Sequence, residues 1–213
     1  MNKRRLILLS IALLSLMYFV FREPSVTTRT ALSSGATVLA FGDSLTYGTG
    51  AMPHESYPAV LARISGLKVI NKGIPGELSA EGLKRLAYLI REHDPELLII
   101  CHGGNDILRK HSHEELKHNL KKMVKTAQNK GVEVLLVGVP DFRMLGFRTL
   151  HLYEELADEM GLIYEGDIIG DIISDNRLKS DRIHPNAEGY AMMAETFLEV
   201  LDEAGMIQTK PGD

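Results

Sequence analysis

A serine that directly follows an apolar run is the first residue in this chain whose position could do chemistry. Ser44 comes after Thr37 to Phe41 and the dipeptide Gly42-Asp43, so its hydroxyl lies where a buried strand would end. A serine becomes a nucleophile when a base takes its proton, but a serine at this position also suits the cap of a helix. Ser44 therefore indicates catalysis only if partners exist elsewhere in the chain.

An aspartate and a histidine near the end of the chain could supply those partners. Asp181 and His184 are three residues apart, just before a final helical pattern. A catalytic imidazole needs an acceptor on its second nitrogen, which fixes the tautomer and stabilises the cation. One turn of chain can bring an Asp and a His at this spacing into contact. Alone, the same pair is also typical of a helix-capping aspartate beside a surface histidine.

Two glycine-containing loops could stabilise a negative charge. His102-Gly103-Gly104-Asn105 follows the apolar run Leu97 to Cys101, and its asparagine offers an amide NH₂ group. The segment Asn71 to Gly76 follows another run, and a glycine N–H in it could serve the same charge. Each loop on its own is typical of a simple turn.

The elements between these segments must hold them together. Apolar runs of strand character alternate with stripes of helical spacing, such as Leu83, Leu86, Ala87 and Ile90. The runs cover residues 37–41, 68–71, 97–101, 132–139 and 162–164. This alternation predicts an α/β fold with a parallel sheet covered on both faces. In such sheets ligands bind at the carboxyl ends of the strands, which is where the polar segments lie.

Taken together, the four segments resemble the motif blocks of the SGNH, or GDSL-type, hydrolase family. The resemblance covers about residues 37–204 and is closest to the bacterial branch of arylesterases, acyl-CoA thioesterase I and lysophospholipase L1. It implies a three-layer α/β/α domain with a flavodoxin-like parallel sheet. One departure is the Glu-Leu-Ser that follows Gly76, where close relatives often show Asp-Thr.

The resemblance also implies a role for each chemical group. Ser44 would be the nucleophile, His184 its base and later acid, and Asp181 the residue that orients His184. The oxyanion hole would come from the N–H groups of Ser44 and Gly76 and the side chain of Asn105. No metal and no cofactor are expected.

The activity implied by the resemblance is that of a serine esterase acting through an acyl-enzyme. Its substrates would be carboxylic esters or thioesters, such as aryl or short-acyl esters, lysophospholipids or acyl thioesters. Two alternatives stay open: a carbohydrate O-acetylesterase, and a non-catalytic binding domain on the same fold. An apolar loop with Phe142, Met144 and Leu145 follows the fourth run, and either contacts the substrate acyl group or packs on its own core.

Composition and charge exclude several classes of protein. Of the 213 residues, 45% are apolar and 24% charged, as in a globular domain with a large core. Residues 1–30 hold five of the 24 basic and one of the 28 acidic side chains. The rest of the chain therefore has 19 basic and 27 acidic residues, which give it a net charge of about −8. Such an acidic body repels a phosphate backbone, so nucleic acid is not an expected partner.

The remaining cysteine and histidines do not indicate a metal site. A single cysteine, Cys101, cannot build a four-cysteine zinc site, and its place in an apolar run predicts an inert core thiol. His111, His113 and His118 flank and begin a polar helix, and their spacing does not put all three on one face. We expect these histidines to be solvated.

The N-terminus reads as a targeting segment. Lys3-Arg4-Arg5 is followed by sixteen uncharged, mostly apolar residues, Leu6 to Phe21. That length lies between a cleaved signal of about 7–15 residues and a spanning helix of about 17–25. The small-x-small sequence that follows this run, Ala31-Leu32-Ser33, comes too late for a cleavage site, which favours an uncleaved anchor.

These observations divide the chain into four parts: a signal-anchor or signal peptide over 1–22, a linker over 23–36, the hydrolase domain over 37–207 and a tail over 208–213. The positive N-terminal flank predicts export, with anchoring in the bacterial inner membrane and the domain in the periplasm or outside. Cleavage of the signal would instead give a periplasmic or secreted protein. The expected partners are the ester or lipid substrate and, through 1–22, the membrane.

Overall fold

Five parallel strands form the centre of the protein. The computed structural model describes residues 29–142 and 146–207. The strands are β1 Thr37–Gly42, β2 Lys68–Gly73, β3 Leu97–Cys101, β4 Glu133–Val137 and β5 Ile163–Glu165. They pair in the order β2-β1-β3-β4-β5, and every pairing is parallel. The predicted parallel sheet is therefore confirmed, with β4 shorter than the apolar run that predicted it.

Helices cover both faces of this sheet. They are α1 Ser44–Tyr47, α2 Tyr57–Ser65, α3 Ser79–His93, α4 Gly104–Leu108, α5 His113–Gln128, α6 His151–Met160, α7 Ile168–Ser174 and α8 Ala187–Glu203, with a 3₁₀ turn at Pro53–Glu55. Helix α2 packs on α8, which also contacts α7; on the other side α3 packs on α5, and α5 on α6. The result is the predicted three-layer α/β/α sandwich.

The order of the strands creates a crevice at the end of β1. From β1 the chain moves to the edge strand β2, and then returns past β1 to β3, so the direction of winding reverses there. In open α/β sheets the loops on either side of such a reversal diverge and leave a ligand site at the carboxyl ends of the strands. Ser44 and Asn105 follow β1 and β3, on the two sides of this crevice.

Residues 29–36 contact the opposite, amino-terminal edge of the sheet. Arg29 Nε lies 3.6 Å from Glu133 Oε2 at the start of β4. The Ser33 hydroxyl donates to Glu96 Oε1 at 2.5 Å, just before β3. The chain therefore enters the domain at the edge of the sheet remote from the crevice.

No helix within 29–142 or 146–207 combines the length and apolar character needed to cross a membrane. The predicted anchor over 1–22 and the predicted tail over 208–213 lie outside the described residues.

Candidate active site

Ser44 is the first residue of α1, and the residue before it fixes the local geometry. Asp43 is the N-cap of this short helix, and its Oδ1 accepts from the N–H of Leu45 at 3.1 Å. Asp43 is buried, and desolvation raises its pKa, although the nearby His102 and the bond from Leu45 oppose that shift. A buried carboxyl group thus lies directly beneath the serine.

The structure brings Ser44, His184 and Asp181 into one hydrogen-bonded line. His184 Nε2 lies 3.0 Å from Ser44 Oγ, and His184 Nδ1 lies 2.7 Å from Asp181 Oδ2. Because the carboxylate accepts from Nδ1–H, Nε2 is left as the acceptor for the serine proton. Asp181 and His184 are three residues apart, so one turn of the chain is enough to bring the carboxylate to the imidazole, as predicted.

Asp181 is held in its ionised form by the turn itself. Partial burial alone would raise the pKa of Asp181, but hydrogen bonds from the N–H of Ile183 and from the side chain and N–H of His184 outweigh it. Both backbone bonds reach Asp181 Oδ1 at 2.9 Å. The pKa of Asp181 is therefore below its ordinary value, which keeps its side chain a hydrogen-bond acceptor for His184 Nδ1–H.

Backbone pairing fixes the turn that carries this Asp-His pair. Ser180 N–H donates to His184 O at 2.9 Å, and Asn186 N–H donates to Leu178 O at 2.9 Å. Asn186 then caps α8 through its side chain, which accepts from Gly189 N–H. The imidazole is consequently attached to a long helix packed on the sheet.

Asn105 lies across the crevice, and both hydrogens of its amide are already engaged. Asn105 Nδ2 donates to Asp43 Oδ2 and to the backbone oxygen of Glu77, each at 3.2 Å. The turn before it requires glycine, because Gly103 has φ 109° and an added Cβ would lie 2.4 Å from Tyr153 Oη. The loop therefore aims the amide at the crevice from a fixed backbone.

Two backbone donors border the same crevice. The N–H groups of Ser44 and Gly76 make no hydrogen bond to another described residue. Ser44, Gly76, Asn105 and His184 all line one cleft of about 210 Å³, whose other walls are mostly apolar: Leu45, Pro75, Leu108, Phe142 and Ile183. The structure thus brings together every predicted nucleophile, base and oxyanion residue.

A larger cavity adjoins this cleft on the histidine side. It measures about 670 Å³ and shares Leu108, Phe142, Ile183 and His184 with the smaller cleft. Of the predicted acyl-contacting residues, Phe142 lines both spaces, while Met144 and Leu145 lie outside the described residues. Leu108 and Ile183 were not predicted; their only sequence signal is proximity to Asn105 and His184.

The other reactive side chains do not join the site. His111, His113 and His118 are exposed on and beside α5. Cys101 is fully buried in β3, and desolvation raises its pKa well above the ordinary value for a thiol. Within the described ranges, no three His, Cys, Asp or Glu side chains form a group able to hold a metal ion.

Comparison with known proteins gives a family match and several relatives. A model of the GDSL-like lipase/acylhydrolase family matches residues 40–192. Esterase TesA of Pseudomonas aeruginosa is 35% identical over 115 residues, which span 52% of this chain and 57% of TesA. An arylesterase of Vibrio mimicus is 27% identical over 80% of this chain and 90% of its own length. The Escherichia coli K12 protein named thioesterase 1/protease 1/lysophospholipase L1 is 26% identical over 78% and 83%, respectively.

Solved structures share the fold. A crystal structure of TesA has a TM-score of 0.70 at 26% identity, covering 79% of this chain and 99% of that one. An acetyl-xylooligosaccharide esterase from Geobacillus has a TM-score of 0.68 at 21% identity, covering 86% of this chain and 100% of that one. The second likeness shows the fold alone.

Proposed function

The chain belongs to the GDSL-like lipase/acylhydrolase family, a family of carboxylic ester hydrolases, and we propose that it cleaves carboxylic esters or thioesters through an acyl-enzyme on Ser44. The observation that carries this proposal is the 3.0 Å contact between Ser44 Oγ and His184 Nε2, with Asp181 on the second nitrogen of the same ring. A binding domain on this fold would have no need of that alignment.

The reaction proceeds in two balanced halves. Ser44 Oγ attacks the carbonyl carbon while His184 Nε2 takes the hydroxyl proton, and the tetrahedral intermediate then expels the alcohol or thiol, which receives that proton from His184. Water next attacks the acyl carbon and gives a proton to His184. Ser44 leaves with that proton, and the carboxylic acid is released. Asp181 stabilises the imidazolium in both halves.

The negative oxygen of each intermediate needs donors that are already in place. The free N–H groups of Ser44 and Gly76 and the amide of Asn105 face one cleft, which supports their joint role as the oxyanion hole. The hydrogen bonds from these donors strengthen as negative charge develops on the carbonyl oxygen. They therefore lower the activation barrier more than they improve substrate binding.

The two adjoining cavities suggest which part of the substrate goes where. The leaving group must lie beside His184 to receive its proton, and the larger cavity opens there. The acyl group then occupies the small apolar cleft of about 210 Å³, below the usual 300–1,000 Å³ of small-molecule sites. We therefore infer a preference for short acyl groups with little constraint on the alcohol.

A substrate panel tests this assignment. Activity is measured on p-nitrophenyl esters of increasing acyl length, on matched thioesters, and on an acetylated sugar. We expect kcat/KM to fall steeply beyond short acyl chains and to vary little with the alcohol. Strong activity on the acetylated sugar with weak activity on aryl esters would instead support a carbohydrate O-acetylesterase. Hydrolysis unchanged in Ser44→Ala would refute the mechanism.

We also propose that residues 1–22 direct export and anchor the enzyme in the bacterial inner membrane, with its domain in the periplasm or outside. The proposal is supported by the basic flank, the apolar run Leu6 to Phe21 and the absence of a small-x-small site soon after it. Separating membranes from soluble fractions and sequencing the mature N-terminus tests it. A soluble exported protein that begins near residue 26 or 34 would show a cleaved signal instead.

A further inference from the structure

A buried ionic cluster lies directly behind the proposed oxyanion hole, and the mechanism above does not use it. It consists of Glu77, Arg85 and His102. Arg85 on α3 donates to Glu77 through two nitrogens, at 2.7 Å from Nε to Oε1 and 2.5 Å from Nη2 to Oε2. His102 Nε2 lies 3.1 Å from the same Glu77 Oε2. Glu77 and His102 are buried, and the Arg85 side chain is 21% exposed.

The cluster joins the loops that follow three strands. Arg85 Nη2 also donates to Lys72 O at the end of β2 at 2.9 Å, and lies 3.4 Å from Gly42 O at the end of β1. His102 opens the loop after β3, three residues before Asn105. These are the loops that carry the three proposed oxyanion donors.

The link from the cluster to the reacting groups is short. The carboxylate of Glu77 is bound by Arg85 and His102, and the backbone oxygen of Glu77 accepts from Asn105 Nδ2 at 3.2 Å. Glu77 also follows Gly76 directly, so the same carboxylate restrains the loop that presents the Gly76 N–H. A displacement of Glu77 would move the acceptor that aims the Asn105 amide.

Packing leaves little freedom for the histidine of this cluster. Gly82 on α3 lies against the ring, and an added Cβ there would be 2.5 Å from His102 Nε2. The Arg85 guanidinium stacks 4.2 Å from the centre of the Phe41 ring, and the Phe41 and His102 rings are 5.7 Å apart. These contacts leave the side chains of the cluster little room to move.

We propose that Glu77 is a positioning residue for the oxyanion hole: its carboxylate, clamped by Arg85 and His102, holds the backbone oxygen that aims the Asn105 amide. The inference rests on the proposed function, since it gives Glu77 a role in that same reaction.

A double-mutant cycle between Glu77 and Asn105 tests the proposal. Glu77→Gln keeps the size of the side chain but removes the charge that Arg85 binds. We expect it to lower kcat on p-nitrophenyl butyrate about tenfold with KM almost unchanged, because the donor acts on the transition state. In an Asn105→Ala background the same substitution should cost less than twofold, since the amide it aims is gone.

Glu165→Gln is the matched control. Glu165 is another buried glutamate, at the end of β5, and its Oε1 accepts from the N–H groups of Asp167 and Ile168 at 3.0 Å each, away from the cluster. The Glu165→Gln substitution should lower the melting temperature slightly and leave kcat unchanged. If Glu77→Gln does not fold, Arg85→Lys takes its place in the cycle, because a lysine keeps the charge but cannot make the paired contacts.

The outcomes distinguish a failure of the proposed function from a failure of the positioning role of Glu77. A wild-type protein without esterase activity, or Asn105→Ala with full activity, would refute the proposed function or the role of Asn105. Equal factors for the Glu77 or Arg85 substitution in both backgrounds, or a change in KM alone, would refute the positioning role. So would full activity of the folded Glu77→Gln or Arg85→Lys variant.

Discussion

The amide of Asn105 offers the sharpest quantitative test of the oxyanion hole. Losing one oxyanion donor lowers kcat by about 10²–10³, or ~2.7–4 kcal/mol. In this protein both amide hydrogens already donate, to Asp43 Oδ2 and Glu77 O at 3.2 Å each. The oxyanion must take over one of these bonds, whose net value is ~1 kcal/mol. Asn105→Ala should therefore cost ~2–3 kcal/mol, a decrease in kcat of about 30- to 150-fold.

The assay is steady-state hydrolysis of p-nitrophenyl butyrate, below the melting temperature of the variant. Removing the amide leaves the buried Asp43 Oδ2 without one donor, so some loss of stability is expected and must be separated from catalysis. Asn119→Ala is the control, because its amide also donates one part-buried bond, to Ser79 Oγ at 3.0 Å, away from the cleft. A kcat for Asn105→Ala within threefold of wild type would refute the assignment of Asn105 as a donor.

Three further predictions concern the carboxyl groups and the chain terminus. Asp43→Asn should lower the melting temperature and lower kcat about tenfold, because both oxygens of the buried Asp43 accept hydrogen bonds, from Leu45 N–H and Asn105 Nδ2, and an amide can accept only one of them. A normal kcat in this variant would contradict this. Because the pKa of Asp181 is lowered, its carboxylate should stay charged on acidification to below the ordinary carboxyl value of about 3.9, which ¹³C NMR of that carboxyl group measures. A titration midpoint of Asp181 at or above that value would contradict this. A chain that begins at Arg29 should be soluble and keep full kcat, because residues 29–36 contact the edge of the sheet remote from the cleft. Loss of activity in a folded chain of this length would show that residues 1–28 contribute to catalysis.

The fold was predictable because each strand overlaps an apolar run and each long helix carries a regular stripe. The run Leu97 to Cys101 became β3 without change, since a central strand buried on both faces needs apolar residues throughout. The edge strand β2 is more exposed, and its last two residues, Lys72 and Gly73, lie beyond the run predicted over 68–71. The pattern of apolar residues along a sequence reflects which residues are buried. The prediction of a strand is therefore weakest where the strand is only partly buried.

The proximity of the candidate catalytic residues was easiest to predict where their contacts are local in sequence. Asp181 and His184 meet within one turn, and Ser44 follows its strand directly. The cluster behind them was not predictable, because Glu77 reads as a loop residue and Arg85 as part of the polar face of α3. Only packing of α3 against the sheet brings these two residues to His102.

The central claim is that Ser44 becomes covalently acylated with His184 as its base. Its most direct measurement is mass spectrometry of the protein after reaction with a fluorophosphonate, followed by peptide mapping of the adduct. The account predicts one adduct per chain, on the peptide that contains Ser44, with no adduct in Ser44→Ala and much slower labelling in His184→Ala. An adduct that persists in Ser44→Ala, or that maps to another residue, would contradict the account.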